Sequence, residues 1–445
     1  MIVLMPHCGF LSETSRMIAI AQALRSRGEE VVLATHGGAY TDLIAEAGLT
    51  WVPLSPTNDA KRQEQFLAGL LSWGGADLPL YGGDDLQQSV ASEVALLRDT
   101  GARLVVTGFT LSAYLSARVA GLPLATSHGG SYVCPVLRAG LAPVPVNSPK
   151  PELAKLPVPV QRWLANLIPR LLRRQAREIN AVAAELGVAP VRGLLGLMSG
   201  DLTLVPDLPQ VVGLPPTRLR DPRPIFGGRQ RRSTYRYTGP LFATLDRPIP
   251  ARVQAFLDEH QGVVYLSPTS VDESLLRRLV ESLKACGAPL LISATVHDIA
   301  DLEDDRTMVA DVLPNHLVLP QVRAALIMGG QGSVQSALAA GVPFVGLPYH
   351  GEQELNVAIA ERVGAALRIS PAAAGTVELT KAVSRVLDEP SFTEAARRVQ
   401  AQYAGLDGAG AAADAIRDFL PERQPGTGGT AGVQHFERTS TVTRP

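Results

Sequence analysis

Apolar positions along the first 130 residues alternate between short continuous runs and stretches with helical spacing. Ile2–Met5 is a four-residue run that passes through Pro6-His-Cys-Gly into a helical pattern, with Met17, Ile20, Ala21 and Leu24 on one face. Arg27-Gly28 supplies a helix stop, and Val31-Val-Leu-Ala reads as the next strand. Leu104-Val-Val-Thr, a helix over 111–120, Gly121-Leu-Pro and Leu124-Ala-Thr repeat the unit. Residues 143–159 are proline-rich and read as loop. The spacing over 160–184 predicts a helix bearing Trp163 and five arginines (Arg162, Arg170, Arg173, Arg174, Arg177), best read as a solvated face. Residues 218–236 are basic without apolar periodicity and read as a surface loop. After Tyr237-Thr-Gly-Pro, Pro248 and Pro250 the alternation resumes, with strands at Val263-Val-Tyr-Leu, Pro289-Leu-Leu-Ile-Ser, Leu317-Val-Leu, Ala325-Leu-Ile-Met and Pro343-Phe-Val-Gly-Leu. Helices are predicted over 275–285 and from Ser333. Such alternation specifies an α/β protein with parallel sheets covered by helices on both faces.

Composition narrows the class. Apolar residues make up 46% of the 445 and charged residues 19%, enough apolar surface for sizeable cores and too little charge for wholesale disorder. With 41 basic against 42 acidic side chains, no global field draws nucleic acid or an anionic membrane. Cys8, Cys134 and Cys286 have no metal-ligand spacing and form no disulfide framework, which points to a reduced, cytoplasmic protein. Met1-Ile-Val-Leu-Met lacks a basic leader and reads as a strand rather than a signal peptide. Apolar stretches such as 104–125 are broken by Arg118, Gly and Pro, short of the ~18 residues of a membrane span. The expected organisation is an N-terminal domain over 1–240, a second over 241–420, and a disordered tail over 421–445 without a core pattern.

The strongest chemical signal is Met328-Gly-Gly-Gln-Gly-Ser, where a strand ends and a helix begins. Backbone N–H groups at Gly329, Gly330, Gln331 and Gly332, open to approach, suit a diphosphate, with Ser333 as helix cap and phosphate donor. The turn after the next strand brings Glu352, Gln353 and Asn356, a carboxylate and two amides able to bond sugar hydroxyls. Both turns fall at the carboxyl ends of parallel strands, where ligands bind in such sheets. Together they read as a sugar-nucleotide site.

These motifs resemble the donor signature of the antibiotic- and macrolide-type GT-B glycosyltransferases, inverting enzymes related to the glucuronosyl- and glucosyltransferases. The resemblance rests on Gly329-Gly-Gln-Gly-Ser, Ala340-Gly-Val-Pro, Pro348, Glu352-Gln-x-x-Asn, Arg27-Gly, Gly200-Asp-Leu-Thr-Leu and Tyr237-Thr-Gly-Pro, and covers most of residues 1–420. It implies two facing Rossmann-like domains with a cleft between them, the first for a small-molecule acceptor, such as a natural product, and the second for a dTDP- or UDP-sugar. It implies donor contacts from Thr269, Ser270, Leu313 and Asn315, the last two in the base-binding turn, besides the residues above. Metal and cofactor are expected to be absent, with the nucleotide sugar as co-substrate. A sugar-nucleotide epimerase or hydrolase, and a non-catalytic binding partner, are the rival functions.

Three departures stand out. Met328 replaces the usual phosphate-bonding His, so Met328→His is expected to tighten donor binding. Ser336 replaces a ribose-binding Glu, which suits a deoxyribose donor. The usual catalytic His–Asp dyad is missing, with Glu13 and Gly108 at its two positions. Glu13, in the first turn of a helix, is the leading candidate base, kept ionised and weakly basic by the helix dipole. His7, after the first strand, and His128, in Ser127-His-Gly-Gly, are the alternatives.

Overall fold

A computed structural model of the chain describes all residues except 72–77, 147, 149, 166–171, 221–232, 243–246, 269–270, 294–298 and 421–445. Thr269, Ser270, Arg170, the tail expected to be disordered and most of the basic stretch at 218–236 therefore lie outside the described residues.

Two parallel sheets organise the chain. The first runs in the order β3-β2-β1-β4-β5-β6-β7. Its strands are β1 (Ile2–Met5), β2 (Val31–Thr35), β3 (Trp51–Pro53), β4 (Leu104–Thr107), β5 (Leu124–Ser127), β6 (Leu202–Val205) and β7 (Thr234–Tyr237). The second runs in the order β10-β9-β8-β11-β12-β13. It comprises β8 (Val264–Ser267), β9 (Leu290–Ser293), β10 (Thr307–Ala310), β11 (Ala324–Ile327), β12 (Phe344–Gly346) and β13 (Ala366–Arg368).

The central strands are continuous apolar runs because helices bury both of their faces. On β1, Ile2 and Leu4 point to one face, against Met17, Ile20 and Leu24 of the first helix (Leu11–Ser26). Val3 and Met5 point to the other, against Leu97, Ala113 and Ala117. Among the described residues no helix is long and apolar enough to cross a membrane.

Four local expectations are corrected. Leu317-Val-Leu is helical, with Asn315–Val318 followed by the 3-10 turn Leu319–Gln321, because Pro314 and Pro320 favour helix starts over a strand. The stretch 160–184 is not one helix: Val158–Ala165 and Arg177–Glu185 are separate, with a 3-10 turn before the second. Trp163 is 61% exposed on the first of these. The glycine-turn helix spans Gln331–Ala339 with Gly330 as its cap residue, so Ser333 sits inside the first turn and does not cap it.

The fourth concerns the last helix, Gly408–Phe419, which returns to the first domain. Its Ala412, Ala413 and Ile416 pack with Ile2 and Leu4, and Asp414 pairs with Arg27 at 2.6 Å. The crossing runs beside the interdomain connection so closely that a Cβ on Gly408 would lie 2.1 Å from the Pro240 carbonyl oxygen.

Candidate active site at the seam between the domains

The amino end of the first helix faces the amino end of the glycine-turn helix. A Cβ on Gly332 would stand 3.3 Å from Ser12 Cβ, so the two backbones meet with almost nothing between them. Gln335 Nε2 reaches Asp207 Oδ1 across the seam at 2.8 Å. Arg16 donates through Nη1 to the Ser127 carbonyl (2.9 Å) and through Nη2 to Gln331 Oε1 (3.3 Å), tying the first domain to the glycine turn. A Cβ on Gly129 would collide with the Gln331 carboxamide at 2.5 Å, so a side chain there is incompatible with this insertion.

Glu13 is fully buried. Its Oε1 accepts backbone N–H bonds from His7 (3.1 Å), Gly108 (3.2 Å) and Phe109 (2.7 Å), while Oε2 has no partner. The missing dyad is thereby explained in space: a Cβ at position 108 would lie 2.8 Å from Glu13 Oε1. Glycine at 108 makes room for the carboxyl from position 13. Its expected weak basicity is corrected. Burial pushes the carboxyl up to about 7, outweighing the opposing pull of the three N–H groups and of Arg16.

The histidines differ. His7 stacks on Phe66 at 4.6 Å between ring centroids, and its Nδ1 accepts from Gly9 N. Burial holds its imidazole down to about 4. His128 is 1% exposed, edge-on to Phe109 and Tyr132, with no bonding partner on either ring nitrogen. Burial first, then the Arg16 charge, holds it down to about 3. His7, His36, Phe66, Tyr81 and Arg62 line a recess on this side. His36 Nε2 bonds Glu93 Oε1 at 2.9 Å and its Nδ1 bonds the Pro56 carbonyl at 2.9 Å. Burial pulls His36 down, but the hydrogen bond and charge of Glu93 prevail and hold it above its ordinary value.

On the other side, Gly329 has φ +90°, and a Cβ there would strike Val357 at 2.5 Å, so glycine is required. A Cβ on Gly330 would meet nothing within 4 Å. Glu352 Oε1 accepts from Gln331 N (3.3 Å) and Asn356 Nδ2 (2.5 Å), and Asn356 Nδ2 also donates to the Gly329 carbonyl (3.0 Å). Glu352 and Asn356 thus brace the glycine turn itself, and Gln353 Oε1 accepts from Tyr349 N at 2.8 Å. Burial pushes Glu352 up to about 7 and Asp207 to about 6. Leu313 is buried, and Asn315 Oδ1 accepts from Tyr265 Oη at 2.7 Å.

Met328 is 1% exposed and packs with Val264, Leu266 and Leu326 in the core of the second domain. The expected gain from Met328→His is therefore reversed. An imidazole there meets apolar side chains, so the variant is expected to lose ~1–3 kcal/mol of stability without tighter donor binding. Chemical denaturation and calorimetric titration of the variant check both halves.

Arg16, Asp207, Gln335 and the His36–Glu93 pair were not singled out by their local sequence. Arg16 carried one signal: it lies at i, i+4, i+8 with Ile20 and Leu24, a charge on the core-facing stripe of a helix.

Comparison with known proteins agrees with this architecture. The family described as UDP-glucuronosyl and UDP-glucosyl transferase matches residues 228–402. The chain is 28% identical to 4'-demethylrebeccamycin synthase of Lentzea aerocolonigenes, over 91% of this chain and 96% of that one. It is 25% identical to the vancomycin aglycone glucosyltransferase of Amycolatopsis orientalis, over 95% and 98%. Among solved structures it is similar to the spinosyn forosaminyltransferase, with a TM-score of 0.65 at 19% identity over 95% of this chain and 99% of that one. A glycosyltransferase in complex with dTDP gives 0.62 at 20% identity, over 94% and 99%. With two parallel-sheet domains arranged as in GT-B glycosyltransferases, a family match over 228–402 and antibiotic glycosyltransferases among its relatives along nearly the whole chain, the protein has the GT-B fold and is similar to the glycosyltransferases of the antibiotic type.

Proposed function

We propose that the protein is an inverting, metal-independent glycosyltransferase that moves a sugar from a dTDP- or UDP-linked donor to a small-molecule acceptor of natural-product type. The observation that carries this reading is the meeting of a half-free carboxylate with a glycine turn. Glu13, with Oε2 unpartnered, adjoins Ser12, and Ser12 faces Gly332 at the head of the glycine-turn helix. A proton acceptor and an anion-binding helix terminus lie on opposite banks of one seam.

In this mechanism the acceptor oxygen attacks the anomeric carbon from the side opposite the diphosphate. The carbon–oxygen bond to the diphosphate breaks as the new glycosidic bond forms, and the acceptor proton passes to Glu13 Oε2. The helix dipole and the turn N–H groups offset charge on the leaving diphosphate. A carboxyl raised to about 7 matches a general base working at neutral pH better than imidazoles at about 3 and 4. The aromatic recess beside His7 suits the acceptor, and domain opening admits it to a carboxylate buried when closed. The dTDP complex of a structural neighbour, and the antibiotic names of the relatives, support the donor and acceptor classes.

The test is a matrix of dTDP- and UDP-sugars against aromatic and peptidic natural-product acceptors, read by mass spectrometry. Expected are an acceptor-dependent gain of one glycosyl unit, an anomeric configuration opposite to the donor's by NMR, and turnover undiminished by EDTA. Free sugar or epimer formed without acceptor would select a hydrolase or epimerase, and donor binding without turnover a non-catalytic partner.

A further inference from the structure

Among the described residues Arg16 is the only fully buried arginine or lysine, and it sits at the seam. The Glu13, Asp207 and Glu352 carboxylates all act on its charge. The neighbouring histidines, His128 and His350, are held neutral by burial, at about 3 and 4. Arg16 is therefore a fixed positive side chain beside the glycine turn, within reach of Gln331 at its first helical position.

The seam also concentrates polar atoms that lack protein partners. Arg16 Nε and Gln331 Nε2 are buried N–H donors without an acceptor, and both His128 ring nitrogens, Ser127 Oγ and Ser131 Oγ are likewise unpartnered. Buried donors left unpaired are costly, and folded proteins avoid them unless a ligand or water completes the set. Two unpaired nitrogen donors, one charged, at the positive end of a nine-residue helix describe an oxyanion's environment.

We propose that Arg16 is the cationic contact for the donor's diphosphate, delivered to the glycine turn from the acceptor-side domain. This rests on reading that turn as the donor site. It assigns the phosphate-bonding role to a residue on the opposite domain, while Met328 is retired to the core. A consequence follows for dynamics. Arg16 belongs to the first domain and the turn to the second, so donor binding draws the two together and closure strengthens the charge contact.

Calorimetric titration with UDP, dTDP and the matching monophosphates tests the assignment in wild type, Arg16→Gln and Arg16→Gln/Asp207→Asn. The double variant removes one charge of each sign, so the buried site stays balanced where the single variant leaves carboxylates uncompensated. Both variants are expected to weaken diphosphate binding ~10–100-fold, the range for one lost hydrogen bond to a charged group, with a smaller loss for the monophosphate. Recovery of wild-type diphosphate affinity in the double variant would overturn the proposal, making Arg16 a counter-ion of the carboxylates alone. Equal loss for mono- and diphosphate, or no loss, would overturn it as well. Failure of the wild-type protein to bind either diphosphate would instead sink the donor-site reading on which the proposal stands.

Discussion

Glu13→Gln is expected to lower kcat by roughly 10²–10⁴, the range for losing a general base, with little change in donor affinity. The substitution keeps the shape of the side chain. Its amide oxygen can still accept the N–H groups of His7, Gly108 and Phe109, which now hold Oε1, so the local fold has no reason to move. What disappears is the unpartnered Oε2, replaced by an NH2 that cannot take a proton.

The pH dependence gives a second reading of the same variant. Burial raises the Glu13 carboxyl to about 7, and a base works only when ionised, so wild-type kcat/KM falls as pH drops below about 7. Glu352 is raised to a similar value, so the limb alone does not identify the group. Its disappearance in Glu13→Gln does. His7→Ala and His128→Ala provide the contest. Near-wild-type turnover in Glu13→Gln with collapse in either histidine variant would move the role to that histidine.

The parts of this protein legible in its sequence are those whose cause is local. Ile2–Met5, Leu104–Thr107 and Leu290–Ser293 announce themselves because strands buried on both faces must be continuously apolar. The glycine turn is legible because positive φ at Gly329 and close packing on Val357 admit no side chain. Leu317-Val-Leu misleads because three apolar residues fit helix and strand equally, and the prolines around them decide.

The site's electrostatics depend on partners far apart in the chain. Glu13 in the first turn of a helix reads as an ionised carboxylate stabilised by the dipole. That the chain closes over it, with the Gly108 N–H 95 residues on bonding Oε1, and that this burial raises it to about 7 against the pull of that N–H, is a fact of packing. Gly108 reads as a lost aspartate, yet its missing side chain is the space Glu13 occupies. The Arg16–Gln331 bond spans 315 residues, and Gln335–Asp207 spans 128. Neither has a periodic signature. The return of the last helix to the first domain is equally silent in composition, because Ala412, Ala413 and Ile416 would suit either core.

The second large effect concerns the turn itself. Of the glycines there, Gly330 separates ligand from structure most cleanly. A Cβ on Gly329 would strike Val357, and one on Gly332 would press on Ser12, so substitution at either disturbs packing as well as any ligand. At Gly330 the backbone is at φ −58° and ψ 143°, open to any residue, and a Cβ meets nothing within 4 Å. A valine side chain there has room in the protein and occupies the approach to the helix N-terminus, where a diphosphate would lie. Gly330→Val is therefore expected to melt with wild-type cooperativity and to bind UDP, dTDP and their sugars at least ~10²-fold more weakly, a difference of about 2.7 kcal/mol.

Calorimetric titration of UDP- and dTDP-sugars into wild type and Gly330→Val, with thermal melts of both, is the most direct test that the glycine turn is the donor site. The account predicts saturable binding to wild type and its loss in a variant that remains folded. Equal affinity in the two proteins would place the donor elsewhere and contradict it.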